Sequence, residues 1–247
     1  MEKNNIYCGD FFELIKEVES GSVDLVVCDP PYEFGTGGIK TGLFKDRESS
    51  GTYQDIHDNK LGDGVDIPRM LDEYVRVLRY VNIYIWCNKE QIYDYLTYFK
   101  NCGRDINFEI IVWGKLNPPP FTGGHYLKDK EYCLYFWESG RVKIKGDYST
   151  LKTVYMTTLN VGDKSDYGHP TCKNVDILSN LIVNSSSVGD LVLDGMCGSG
   201  STLIAAKRLG RSWLGFEINE RFFKVASDRV RGVNDRGEMN LFDVDYE

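Results

Sequence analysis

Apolar positions along this chain follow two alternating rhythms, short unbroken runs and longer stretches with helical spacing, and that succession marks an open, mostly parallel α/β sheet. Asp10 with Glu13 three residues on makes a capping box for a helix to about Glu19, and Val23-Asp24-Leu25-Val26-Val27-Cys28 reads as a strand buried on both faces. Pro68 starts a helix to about Tyr80; a strand over 81–86 and a helix over 89–100 follow. Strands are expected at 108–113 and 132–137. Between them the prolines and glycines of residues 114–124 forbid regular structure. Beyond residue 170 the pattern restarts, with helices over 175–183, 201–209 and 220–230 and strands over 191–193 and 213–216. Residues 33–66, rich in Gly, Asp, Ser and Lys, read as a long functional loop, and 138–168 look mixed and partly exposed.

The length of 247 residues suits one domain, and 42% hydrophobic with 27% charged residues is the composition of an ordinary globular protein. No run approaches 18 apolar residues, and the opening MEKNNIYCGD passes straight from polar residues into a folded pattern. A cytoplasmic protein with no membrane association is expected. Seven scattered cysteines form no C-x-x-C pair, which suits a reduced compartment and argues against a metal site. The net charge of −8 is unevenly spread: residues 1–99 carry 10 basic and 18 acidic side chains, 100–152 carry 9 and 6, and 153–247 carry 10 and 13. Only the middle is basic, which makes it the candidate for contact with a polyanion.

Asp29-Pro30-Pro31-Tyr32 directly follows the first buried strand, so it stands where parallel sheets bind ligands, at the carboxyl end. Two prolines hold the chain extended and fix the directions of the Asp29 carboxylate, the Pro30 carbonyl and the Tyr32 ring. Two acceptors beside an aromatic face suit a planar group with two N–H donors, such as the exocyclic amine of a nucleobase. Taken alone, the tetrapeptide reads better as a rigid turn with an exposed Asp and a packing Tyr.

A second motif shifts that balance. Leu191-Val192-Leu193-Asp194-Gly195-Met196-Cys197-Gly198-Ser199-Gly200-Ser201-Thr202 is a strand entering a glycine-rich turn and then a helix, as in nucleotide-cofactor folds. Its G-x-x-G-x-G spacing is neither the dinucleotide fingerprint nor a phosphate loop. Twenty-three residues after Asp194, the next strand ends in Glu217, placed to accept from both hydroxyls of a ribose. A nucleoside cofactor without a pyrophosphate is implied.

Together these motifs resemble the S-adenosylmethionine-dependent amino-methyltransferases of DNA, in their permuted β class. There the Asp-Pro-Pro-Tyr half precedes the cofactor half, as here, and a His-Pro-Thr-x-Lys element precedes the cofactor strand, here His169-Pro170-Thr171-Cys172-Lys173. Gly9-Asp10 and the run from Val188 through Glu217 look like the same family. The turn departs from the family's common Asp-Pro-Phe, carrying Gly195-Met196-Cys197 after Asp194, and a flexible glycine there puts cofactor affinity in question.

The resemblance implies a doubly wound, mostly parallel, seven-stranded-type sheet with a Rossmann-like methyltransferase fold in permuted order and a small inserted recognition region. It assigns Asp29, Pro30, Pro31 and Tyr32 to catalysis. The turn residues Gly195, Cys197, Ser199 and Ser201 would line S-adenosylmethionine, with Asp194 and the backbone of Gly198 and Gly200 at its methionine end, Glu217 at the ribose, and Ile218 on a face of the adenine. Asp10 would sit near the adenine edge, and Thr171 and Lys173 near the methionine carboxylate. Residues 167–231 form the cofactor half.

The substrate implied is adenine N6 in double-stranded DNA, with the base flipped out and stacked on Tyr32. An Asp at the first clamp position resembles the adenine members, whereas cytosine-N4 members more often begin with Ser. Cytosine-N4, RNA or protein amino-methylation and a catalytically silent DNA-binding homologue stay open as alternatives. DNA contacts are expected from Lys40, Lys45 and Arg47 in the 33–66 loop and from Lys115, Lys128, Lys130, Arg141 and Lys143 in the candidate recognition region 100–152. A homodimer and a cognate restriction endonuclease are the further candidate partners.

Overall fold

The computed structural model describes residues 1–31, 64–118, 126–158 and 172–232. Among these, eight strands form one sheet in the order β1 (Asn5–Cys8), β8 (Ser212–Glu217), β7 (Leu191–Asp194), β2 (Leu25–Cys28), β3 (Asn82–Cys87), β5 (Lys130–Glu138), β4 (Ile106–Lys115), β6 (Val154–Thr157). From β1 across to β3 every neighbour is parallel, whereas β5 runs antiparallel to both β3 and β4.

The strands are covered on both sides because their side chains alternate between two cores. Val26 and Cys28 face one, with α1 (Phe11–Leu14, continued by a tighter turn over Ile15–Glu17), α2 (Ile67–Val77) and α3 (Ile92–Asn101); Met70, Leu71, Tyr74 and Phe99 fill it. Leu25 and Val27 face the other, with α4 (Val175–Ser185), α5 (Ser201–Arg208) and α6 (Glu220–Val230) supplying Leu178, Leu181, Leu203 and Ala226. Helix starts are fixed by polar caps. Asp10, Asp66, Asn174 and Asn219 each accept from backbone amides of the first turn, and Pro68 pre-sets the φ of α2.

The chain leaves β2 through α2 toward β3 but leaves β7 through α5 toward β8, in opposite directions along the sheet. The gap between β2 and β7 is therefore a topological switch point, where open α/β sheets bind their ligands.

The doubly wound architecture and the permuted order agree with the expectation, while three details differ. The edge strands β1 and β6 bring the sheet to eight. Residues 100–152 are less an insertion than part of the sheet, since they supply β4 and β5. The first helix is one α-helical turn, Phe11–Leu14, with a tighter turn that ends by Glu17.

Candidate active site

Asp29 follows the last residue of β2, and Asp194 is the last residue of β7. The two strands are hydrogen-bonded neighbours with Leu25 opposite Val192 and Val26 opposite Leu193, so both carboxylates emerge at one end of the sheet on either side of the switch point. Next along, Asp194 pairs with Gly215, two residues before Glu217, and Glu217 pairs with Cys8. Four parallel strands thus deliver Asp29, Asp194, Glu217 and, just beyond β1, Asp10 to one edge. Asp10 is exposed there, its carboxylate capping α1 through the Phe12 and Glu13 amides at 2.9 and 3.3 Å.

The turn after Asp194 is rigid. Gly198 and Gly200 have φ of 52° and 78°, in the left-handed region that other residues avoid. Cys197 N–H donates to Phe216 O at 2.8 Å, and Gly198 N–H donates to Glu217 Oε2 at 2.8 Å; Asn219 N–H takes the other carboxylate oxygen, Oε1, at 2.8 Å. The ribose-type acid and the glycine turn therefore brace each other. Gly195 owes its place to packing: a Cβ there would lie 2.5 Å from Tyr74 Oη and 2.6 Å from the Phe11 ring, so these two side chains occupy the room a larger residue would need. The turn is held by its surroundings, contrary to the loosening expected from a glycine at this position.

Two further tethers have no local sequence signal. The buried Arg229 of α6 donates from Nη1 to Ser201 Oγ at 2.8 Å and to Ser199 O at 3.2 Å, and Cys172 Sγ meets Ser199 Oγ at 3.1 Å. The segment before α4 is thereby fastened to the glycine turn.

Negative charge dominates the cofactor side. Burial, opposed by hydrogen bonds from Thr202 and the Met196 amide and reinforced by Asp29 and Glu217, pushes Asp194 up to about 7. Burial also raises Glu217, against the pull of its amide partners. Such a cluster suits a cationic ligand. On the other side lies one buried cation: Lys173 Nζ is 2.5 Å from Asp29 Oδ2 and 3.3 Å from Glu131 Oε2. The resemblance assigns Lys173 to the methionine carboxylate; here its ammonium rests between two protein carboxylates.

Comparison with known proteins turns this geometry into an assignment. The family model described as DNA methylase, of the N6/N4 methyltransferases, matches residues 23–228. The chain belongs to that family. Its members are amino-methyltransferases that use S-adenosylmethionine. The methyltransferase is 29% identical to Type II methyltransferase M.HinfI of Haemophilus influenzae, over 93% of this chain and 69% of that protein. It is 26% identical to Type II methyltransferase M2.LlaDCHI of Lactococcus lactis subsp. cremoris, over 93% of this chain and 90% of that one. A crystal structure of the M1.HpyAVI–S-adenosylmethionine complex shares the fold with a TM-score of 0.68 at 21% identity, covering 92% of this chain and 98% of that one. The cytosine-N4-specific PvuII DNA methyltransferase shares it with a TM-score of 0.66 at 15% identity, covering 93% and 86%.

The site fits the family's cofactor on its own evidence. Asp194 and Glu217 offer carboxylates to a cationic, hydroxyl-bearing ligand, Gly198 in the turn between them is partly exposed, and Ile218 beside Glu217 is a large apolar side chain left 65% exposed. Among the described residues no helix of the methyltransferase is long and apolar enough to cross a membrane.

The candidate DNA-contacting side chains separate. Lys128 and Lys130 are exposed at the start of β5, the end of the sheet that carries Asp29, because β5 pairs there with Cys87 at the end of β3. Arg141 and Lys143 stand apart from them. They follow the far end of β5, and its antiparallel course carries them to the opposite end of the sheet, where Arg141 lies over the Tyr80 ring ahead of β3. Lys115 also differs: its ammonium turns inward onto Glu131 with only 13% of the side chain exposed. Tyr32, Lys40, Lys45, Arg47 and Thr171 lie outside the described residues. Glu131 and Arg229, both missed by the sequence reading, complete the site.

Proposed function

We propose that this protein transfers the methyl group of S-adenosylmethionine to the N6 amino group of an adenine flipped out of double-stranded DNA. The observation that carries the reading is the adjacency of Asp29 and Asp194 across the β2–β7 switch point, one carboxylate from the clamp half and one from the cofactor half. Bound S-adenosylmethionine supplies a sulfonium methyl that is electrophilic without help, so the protein's work is at nitrogen. Adenine's amino lone pair is delocalised into the ring. Asp29 and the Pro30 carbonyl accept its hydrogen bonds and favour the tetrahedral, cationic nitrogen that forms as the methyl arrives in line, a gain larger in the transition state than in the ground state. A carboxylate offers about four acceptor positions, so Asp29 can hold Lys173 and the amine together. The amine's proton then leaves to Asp29 or to water. Tyr32 supplies the stacking face, worth about 1–3 kcal/mol.

Asp at the first position of the clamp supports adenine over cytosine. The Type II methyltransferases among the relatives support a site-specific enzyme of a restriction-modification system, with a cognate endonuclease as partner. Sequencing DNA from cells that express the protein, with detection of modified bases, should show N6-methyladenine at one short recurring sequence. N4-methylcytosine there would overturn the choice of base, and label passing to RNA or protein but not to duplex DNA would overturn the substrate.

A further inference from the structure

Four charged side chains alternate in sign along one line through the site: Lys115 at the end of β4, Glu131 in β5, Lys173 before α4, and Asp29 after β2. Lys115 pairs with Glu131, and Lys173 Nζ lies 3.3 Å from Glu131 and 2.5 Å from Asp29. The two cations are walled by tryptophan rings, Lys173 Nζ 5.4 Å from the centre of Trp86 and Lys115 Nζ 5.3 Å from that of Trp113. None of the four side chains is more than 24% exposed, so their mutual fields are weakly screened.

We propose that Glu131 is a positioning residue for the methyl-transfer reaction, acting on Asp29 through Lys173, with Lys115 anchoring Glu131. The inference rests on the reading of Asp29 as the acceptor of the target amine. An ammonium paired with Asp29 alone would orient the carboxylate but also cancel its charge and oppose the positive charge growing on the target nitrogen. Glu131 gives Lys173 a second anion. The cation then fixes the direction of Asp29 while its field is shared, and Asp29 keeps the negative charge that the transition state needs. Lys115, in the ladder two residues along from the partner of Glu131, holds that second anion in place. Burial disfavours a charged Glu131, but Lys173 and Lys115 outweigh it and hold the acid down at about 2, so Glu131 is ionised wherever the enzyme works. The same chain links the catalytic acid to the β4–β5 hairpin, which carries Lys128 and Lys130 at the same end of the sheet.

The test is a kinetic cycle on the full-length protein with labelled S-adenosylmethionine and duplex DNA. Glu131→Gln keeps the shape and removes the charge. It should lower kcat by about ten-fold or more, with cofactor Kd and DNA KM changed by no more than about two-fold. In a Lys173→Met background the same substitution should have almost no further effect, because its route to Asp29 is gone. Glu131→Asp, which keeps the charge one methylene back, should fall between wild type and Glu131→Gln, and it serves as the test if the glutamine variant does not fold. Wild-type kcat in Glu131→Gln, or in Glu131→Asp where that is the variant tested, overturns the proposal, as does an equal loss with Lys173 present or absent. Asp29→Asn in parallel separates the two readings. If it is inactive while Glu131→Gln is normal, only the role of Glu131 fails; if it is fully active, the role of Asp29 fails first.

Discussion

Gly198 and Glu217 are joined by a 2.8 Å hydrogen bond from the glycine amide to the glutamate carboxylate, so the turn after β7 and the acid that ends β8 form one rigid body. Glu217→Ala would strip the acceptor from two amides, those of Gly198 and Asn219, at about 1–3 kcal/mol for each one left buried without a partner. A lower thermal midpoint and at least about a ten-fold loss of S-adenosylmethionine affinity by calorimetry are expected together, since the same carboxylate is assigned to the ribose. A variant that loses affinity with an unchanged midpoint would separate the two roles.

Gly195 is set by Tyr74 and Phe11. Gly195→Ala places a methyl against both, and overpacking of this kind costs about 1–3 kcal/mol. Chemical unfolding should register that loss, and Phe11→Leu should restore part of it by opening the space beside the new methyl. Equal loss with and without Phe11→Leu would mean that backbone freedom, not packing, explains the glycine.

Asp194 makes cofactor binding depend on pH. Its folded value of about 7 stands above the 3.8 of an ordinary aspartate. The folded protein therefore holds a proton that the unfolded chain gives up, and this contribution to stability is complete below pH about 4 and lost as pH rises through about 7. A cationic ligand favours the ionised acid. Affinity for S-adenosylmethionine should rise from pH 6 to 8, and at pH 6 binding should release close to one proton, measured by calorimetry in buffers of different ionisation heat. A flat profile without proton release would remove Asp194 from the methionine end.

The split among basic residues predicts a split in DNA binding. Lys128→Gln with Lys130→Gln should weaken binding to duplex DNA and reduce the salt slope by about two, near one unit per lost phosphate contact. Arg141→Gln with Lys143→Gln, at the far end of the sheet, should change neither. Equal effects of the two pairs would mean that DNA passes over more of the surface than the Asp29 end.

What was legible in the sequence was whatever is encoded locally. The run Leu191–Asp194 into Gly198 and Gly200 and the cap at Asp10 each combine a run of residue types with a fixed offset, and the strand, the turn and the cap form where they were read, with Asp29-Pro30-Pro31 directly after β2. The edge strands β1 and β6 escaped because only one residue of β1, Ile6, is buried, and the β6 side chains are exposed or half-buried. No apolar alternation marks either. The antiparallel course of β5 was not legible either, since direction in a sheet depends on how the chain returns, and that course moved Arg141 and Lys143 away from the site. Glu131 and Arg229 were invisible for a related reason. Each meets its partners from a distant part of the chain, Glu131 with Lys173 and Arg229 with Ser199 and Ser201, so nothing in the neighbouring residues distinguishes them from surface charges.

The central claim is that the clamp and the cofactor half make one site in which Asp29 accepts the target amine. Single-turnover transfer of labelled methyl from S-adenosylmethionine to duplex DNA by wild type and Asp29→Ala, alongside calorimetry of cofactor binding, tests it most directly. The account predicts a rate reduced about 10²- to 10⁴-fold with cofactor affinity retained. Transfer at the wild-type rate by Asp29→Ala would contradict it.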